Sequence, residues 1–126
     1  MKKTAFISKA TLTGTNWVKV MEEKVIYAAA IDLLFTVVNE LAAGTSAPDV
    51  EFAILVQICP GGSFVELRHF ADQSELSAVL PSLLPAGAGW FGKVGRVPVE
   101  AFQVFARLGA AGSVPIAVNA RIVTTE

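Results

Sequence analysis

The sequence predicts an α+β fold: an antiparallel sheet with a central hairpin and a long apolar helix packed on one face. Three observations point there. Val25 to Ala43 is the longest apolar segment, and its polar residues Asp32, Thr36 and Glu40 recur every four positions, as they would on one helical face. Two alternating runs within Val50 to Phe70 flank Gly61-Gly62, a pair suited to the positive φ of a tight hairpin turn. Alternation also marks Thr4 to Leu12 and Ser113 to Thr125, which read as two further strands.

Taken in order, Thr4–Leu12 places Phe6, Ser8, Ala10 and Leu12 on one side and Ala5, Ile7 and Lys9 on the other. Thr13 to Asn16 is a break, with Asn16 suited to cap a helix. Trp17 to Lys24 fits either period; Trp17, Met21 and Val25 favour an early start to the helix, while Val18 and Val20 suggest a strand. Within the helix the thin polar stripe, with Asn39 beside it, implies that most of the surface is covered. Gly44 sits where a left-handed residue ends a helix.

Counting outward from Gly61-Gly62, the hairpin pairs Ile58 with Val65, Val56 with Leu67 and Ile54 with His69 on an apolar face. Gln57 meets Glu66 and Leu55 meets Arg68 on a mixed one. Asp72 and Glu75 form a capping pair for a short helix to about Leu80, stopped by Pro81 and Pro85. Pro85 to Val97 reads as an irregular Gly-rich loop. Pro98 opens another helix, with Val99, Phe102, Phe105 and Ala106 buried, Glu100, Gln103 and Arg107 wet, and Gly109 at its end. The order is strand, helix, strand, strand, helix, helix, strand. With one helix removed it is ferredoxin-like.

At 126 residues the chain has the size of one domain, expected to span positions 1–126. Its composition is the informative part. Charged residues are 17% and hydrophobic ones 53%, whereas about 25% charge is ordinary for soluble domains. A small monomer with so few polar groups leaves apolar surface wet, so a homo-oligomer, or a complex with another protein, is expected. A net charge of −1 with scattered Lys and Arg argues against nucleic-acid binding. One Cys excludes an intrachain disulfide framework. The basic opening is not followed by an unbroken apolar core, because Ser8, Lys9, Thr11 and Thr13 interrupt it. No run reaches the roughly 20 apolar residues of a membrane span. The expectation is a soluble, cytoplasmic protein.

Chemistry-bearing motifs are incomplete. Gly87 to Val94 contains G-x-G-x-x-G and also Gly, four residues, then Gly-Lys. Val94 stands where a P-loop needs Ser or Thr, and no strand precedes the glycines as a dinucleotide fold requires. Lys93 and Arg96 in that loop, with Arg68 and Glu66 on the polar hairpin face, are the candidate ligand-binding residues. Trp90 and Phe91 are candidate interface residues, since adjacent aromatics in a loop dock on the core or on a neighbouring subunit. Cys59 and His69 do not form a nucleophile–base pair in the expected register, because they point to opposite faces. Asp32 reads as part of the solvent stripe. No metal site and no cofactor are implied, and no catalytic residue is assigned. The expected function is a small non-enzymatic interaction or assembly module. The alternative is a small-molecule or anion-binding protein, or a small enzyme, using Gly87–Arg96 and the polar hairpin face.

Overall fold

Period two, not 3.6, governs the described residues of this chain. The computed structural model describes residues 3–25, 31–57, 61–66, 83–97, 99–112 and 114–125, and among them every regular element is a strand. The strands are β1 (Lys3–Leu12), β2 (Val18–Lys24), β3 (Ile31–Asn39), β4 (Val50–Gln57), β5 (Val65–Glu66), β6 (Gly89–Val97), β7 (Ala101–Leu108) and β8 (Ile116–Thr125). They form two four-stranded antiparallel sheets, ordered β1-β8-β3-β6 and β2-β7-β4-β5.

The pairs β1–β8, β2–β7, β3–β6 and β4–β5 are those of one long hairpin folded back on itself. The pairs β3–β8 and β4–β7 then complete each sheet. Eight strands in this order make a jelly roll. The inner faces supply the core. Leu12, Leu33, Phe35, Val37, Phe52, Ile54, Val56, Phe102, Val104, Leu108, Ile116, Val118 and Ile122 are all buried between the sheets. Phe6 of the first sheet meets Phe102 of the second edge to face, with centroids 5.4 Å apart. At the corner between sheets, the Ser8 hydroxyl donates to the Val20 carbonyl at 2.6 Å.

The expected α+β class is therefore overturned, and the reason lies in the spacing. Asp32, Thr36 and Glu40 are four apart, and four is a multiple of two as well as close to one helical turn. In β3, Leu33, Phe35, Val37 and Asn39 are buried, while Asp32, Leu34, Thr36 and Val38 are half-buried on the other face. β-branched and aromatic residues in that run favour the pleated alternative. Asn39, expected on the wet stripe, is fully buried. The helix expected from Pro98 to Gly109 is likewise β7. Phe102, Val104, Ala106 and Leu108 point inward, and Phe105 points outward with Gln103 and Arg107. Residues 17–24 take the strand option, with a register shift between Lys19 and Met21 that lets Val20 and Met21 both be buried. Asn16 lies in the bend before β2 and caps no helix.

The Gly-rich loop expected over Pro85–Val97 is mostly β6, hydrogen-bonded to β3. Gly44 has the expected positive φ, 84°, but in a turn between strands. The hairpin is present with Gly61 at φ 71°, but β5 pairs Val56 with Val65 and Leu55 with Glu66. That register is two residues away from the expected one. A shift of two leaves alternation unchanged; Ile54 and Val56 keep the inward face, while Val65 on the edge strand is half exposed. The connection is longer than a two-residue turn, and Gln57 Nε2 donates to the Gly62 carbonyl inside it at 2.6 Å. This hairpin is not central either, because β5 forms the edge of its sheet. The strands β1 and β8 match expectation, with Ile116, Val118, Ala120 and Ile122 inward. The helix expected from Asp72 to Leu80 lies outside the described residues.

Candidate functional site

Alternation assigns one set of side chains to the outside of each sheet, and these two outer faces are the candidate sites. On the first sheet the pairing builds cross-strand rows. One row runs Ile7, Arg121, Thr36, Phe91 across β1, β8, β3 and β6. The next runs Ala5, Val123, Leu34, Lys93. A third runs Lys9, Asn119, Val38, Gly89. Phe91 is 70% exposed and Ile7 62%, the two most exposed large apolar side chains among the described residues. Beside Ile7 lies a depression of about 160 Å³ lined by Ile7, Thr36, Val38, Asn119 and Arg121. Asn119 Nδ2 donates to Glu40 Oε1 at 3.2 Å, and Lys9 Nζ lies 3.9 Å from the same oxygen.

Trp90 and Phe91 are split by the pleat. Trp90 pairs with Val37, turns inward and packs on the core. Its indole lies over Gly92, where an added Cβ would collide with the ring, 2.6 Å from Cζ2. Phe91, one residue on, must point outward. The structure thus places one aromatic on the core and leaves the other in solvent.

The outer face of the second sheet is different in shape. Glu51, Ala53 and Leu55 of β4 lie opposite Arg107, Phe105 and Gln103 of β7. Arg107 Nε donates to Glu51 Oε2 at 2.9 Å, and its guanidinium carbon sits 4.3 Å from the Trp17 ring centroid. Trp17 is thereby held at the sheet's rim although it is 41% exposed. Trp17, Phe105, Phe52, Ala53, Leu55 and Glu51 enclose a groove of about 450 Å³. Farther along β7, Gln103 Nε2 donates to Glu22 Oε1, and Lys19 Nζ lies 3.2 Å from Glu22 Oε2. The Gln103 hydrogen bond, followed by that from Lys19, holds the Glu22 carboxyl below its ordinary pKa.

Of the residues expected to form one ligand site, Lys93 and Glu66 fall on different sheets. Lys93 is exposed on the outer face of the first sheet. Arg96 is on the same strand, near its end. Glu66 is on β5 of the other sheet, and Arg68, Cys59 and His69 lie outside the described residues. The glycines of Gly87–Val94 do not form a cradle, because Gly89 onward is pleated strand. Trp17, Ala53 and Phe105 were missed as surface features, whereas Ile7 and Leu55 lie on the sides their alternation gives them. For Phe105 the available signal was the run Phe102, Val104, Ala106, Leu108, whose alternation leaves Phe105 on the opposite face. Among the described residues no cluster of three or more His, Cys, Asp or Glu is placed to hold a metal ion, and no helix is long and apolar enough to cross a membrane.

No protein-family model matches the chain, and no curated relative does either. Solved structures match at the level of fold. A chain in the structure of infectious bursal disease virus Gx strain is 11% identical with a TM-score of 0.51, covering 99% of this chain and 33% of its own. A chain of the Gt strain gives 7% identity and the same TM-score over 98% and 32%. This chain therefore spans about a third of the length of those two viral chains. The crystal structure of FLHE aligns over 100% and 99% at 14% identity, with a TM-score of 0.45. What the viral matches establish is the jelly-roll architecture already visible in the strand order.

Proposed function

We propose that this protein is a non-enzymatic assembly module that associates with copies of itself through the outer face of the sheet β1-β8-β3-β6. The single observation that carries this reading is Phe91 and Ile7, standing 70% and 62% exposed on one cross-strand row. Half-buried Leu34, Val38 and Val123 lie beside them. Contiguous apolar surface of this kind marks an interaction site. A four-stranded face with strands this long covers roughly 600 Å², near the ~800 Å² each partner gives to an ordinary interface. The low charged fraction, 17%, supports the same conclusion. So does the fold, by analogy alone, since a virus structure contains it.

The test is sedimentation velocity over a wide concentration range. Mass should rise with concentration for the wild type and fall to that of one chain for Phe91→Ser. A wild type that stays monomeric at millimolar concentration ends this reading.

A second reading, small-molecule binding on the outer face of the sheet β2-β7-β4-β5, is favoured by the groove between Trp17 and Phe105. The ion pair of Arg107 with Glu51 gives that groove a polar rim beside its apolar walls. Stabilisation of the fold by a flat apolar probe, lost in Trp17→Ala, would be its signature.

A further inference from the structure

We infer that the copies join head to tail: the Phe91 face of one copy docks on the outer face of the sheet β2-β7-β4-β5 of the next, with the Phe91 ring entering the groove between Trp17 and Phe105. This rests on the assembly reading above and names its geometry.

Shape is the first reason. The two outer faces lie on opposite sides of the sandwich and are unlike each other. One projects an aromatic ring into solvent, and the other holds a groove of about 450 Å³ walled by Trp17, Phe105, Leu55 and Ala53. Aromatic rings favour edge-to-face and offset contacts with other rings, and the groove offers two.

Charge is the second reason, and it selects the mode. Among the described side chains the first face carries Lys3, Lys9, Lys93 and Arg121 against Asp32 and Glu40. The whole chain is at −1, so the rest of it holds an excess of carboxylates. Two copies meeting through the same face would place surplus cations against surplus cations, which opposes association. On the outer face of the second sheet Arg107 and Lys19 are matched by Glu51 and Glu22, so docking there meets no surplus of cations. Lys93 follows Phe91 by two residues on the same face, so it accompanies the ring. Glu51 stands on the groove wall, and a carboxylate already bonded to Arg107 through one oxygen keeps acceptor capacity for a second cation.

A contact between two different faces does not close on itself in a pair. It propagates into rings or open filaments.

Complementary variants test this. Phe91→Ser removes the projecting ring and leaves the groove; Ala53→Arg fills the groove and leaves the ring. By sedimentation velocity the wild type should form species larger than a dimer, and each variant alone should remain at one-chain mass. An equimolar mixture of the two should give a complex of two chains and nothing larger, because each partner brings one working surface. Should Ala53→Arg fail to fold, Trp17→Ala replaces it in the same mixture, with at least tenfold weaker assembly expected on its own. Three results overturn the inference. A wild type that stops at a dimer and is unaffected by the groove variants shows face-to-face pairing; the assembly reading survives, and this geometry does not. Groove variants that lower the melting temperature without changing the mass show that the groove is filled from within the chain. A wild type that never exceeds one-chain mass removes both.

Discussion

Ile7 and Phe91 terminate the same cross-strand row, with Arg121 and Thr36 between them, so two exposed apolar side chains face solvent from the two edge strands of one sheet. Three inter-strand steps put them on the order of 14 Å apart. Neither contributes a buried face to the core, so folding and association should separate here. Ile7→Ser and Phe91→Ser are expected to shift folding stability by less than about 0.5 kcal/mol, as surface changes usually do. Both should lower the association constant, with Phe91→Ser the larger. Urea denaturation of dilute protein reads the first quantity and sedimentation the second.

Gly92 and Trp90 form a pair that the pleat puts on the inner side. The indole occupies the space a Cβ would take at Gly92. Gly92→Ala is expected to destabilise by about 1–3 kcal/mol, the usual range for overpacking. Replacing Trp90 by Leu in the same chain should recover part of that loss, so the double variant will be less destabilised than the two singles added. Strict additivity in the denaturation cycle would show that the ring does not hold that position.

Asn39 joins three segments at the end of β3. Its side chain is fully buried, Nδ2 donates to the Leu84 carbonyl at 3.1 Å, and Oδ1 accepts from the Leu41 N–H at 3.1 Å. Leu84 in turn exchanges two backbone hydrogen bonds with Val50 of the other sheet. Asn39→Ala leaves the Leu41 N–H without its partner, while the Leu84 carbonyl keeps the bond from the Val50 N–H. About 1–3 kcal/mol of destabilisation is expected, the cost of one orphaned group. Asn39→Asp should also destabilise, because it loses the donor to Leu84 and buries a charge. Chemical denaturation of both variants checks this.

Glu22 gives a pH dependence of known sign. Its carboxyl pKa is depressed in the folded chain, first by the Gln103 hydrogen bond and then by Lys19. A depressed folded-state pKa stabilises the fold above the unfolded value, and that contribution is lost as pH falls through the folded one. The group is on the surface, so the contribution is small and salt-sensitive. In Gln103→Leu the Glu22 titration, followed by NMR of its side-chain carbonyl carbon, should move up toward the ordinary glutamate range. An unmoved titration would mean that Lys19 alone sets it.

Strands were legible where alternation stood alone. In β8 Ile116, Val118, Ala120 and Ile122 occupy alternate positions, and in β1 Phe6, Ala10 and Leu12 fall on one side with Ser8, so both the elements and their inward faces could be read directly. The hairpin faces were readable for the same reason, and an error of two residues in register cost nothing because side-chain direction repeats every two. Residues 31–39 and 101–108 were not legible. Apolar residues there crowd both periods, and the polar spacing of four satisfies a helix and a strand alike. Pairing decided them: β3 is hydrogen-bonded on both sides, by β8 and β6, and β7 by β2 and β4. A strand with neighbours on both edges gains ladder bonds that no local propensity reveals.

By itself the amino-acid sequence determined how much apolar surface this chain must place and how few charges it has to cover the remainder. It also determined the local direction of the first and last strands, because those follow from neighbours in the chain. Only the tertiary structure decided that Trp90 serves the core while Phe91 faces out, and that Trp17, Ala53, Leu55 and Phe105 share one groove. The physical reason is that a pleat assigns faces only once a strand exists, and β6 and β7 exist because partners distant in sequence bond to them.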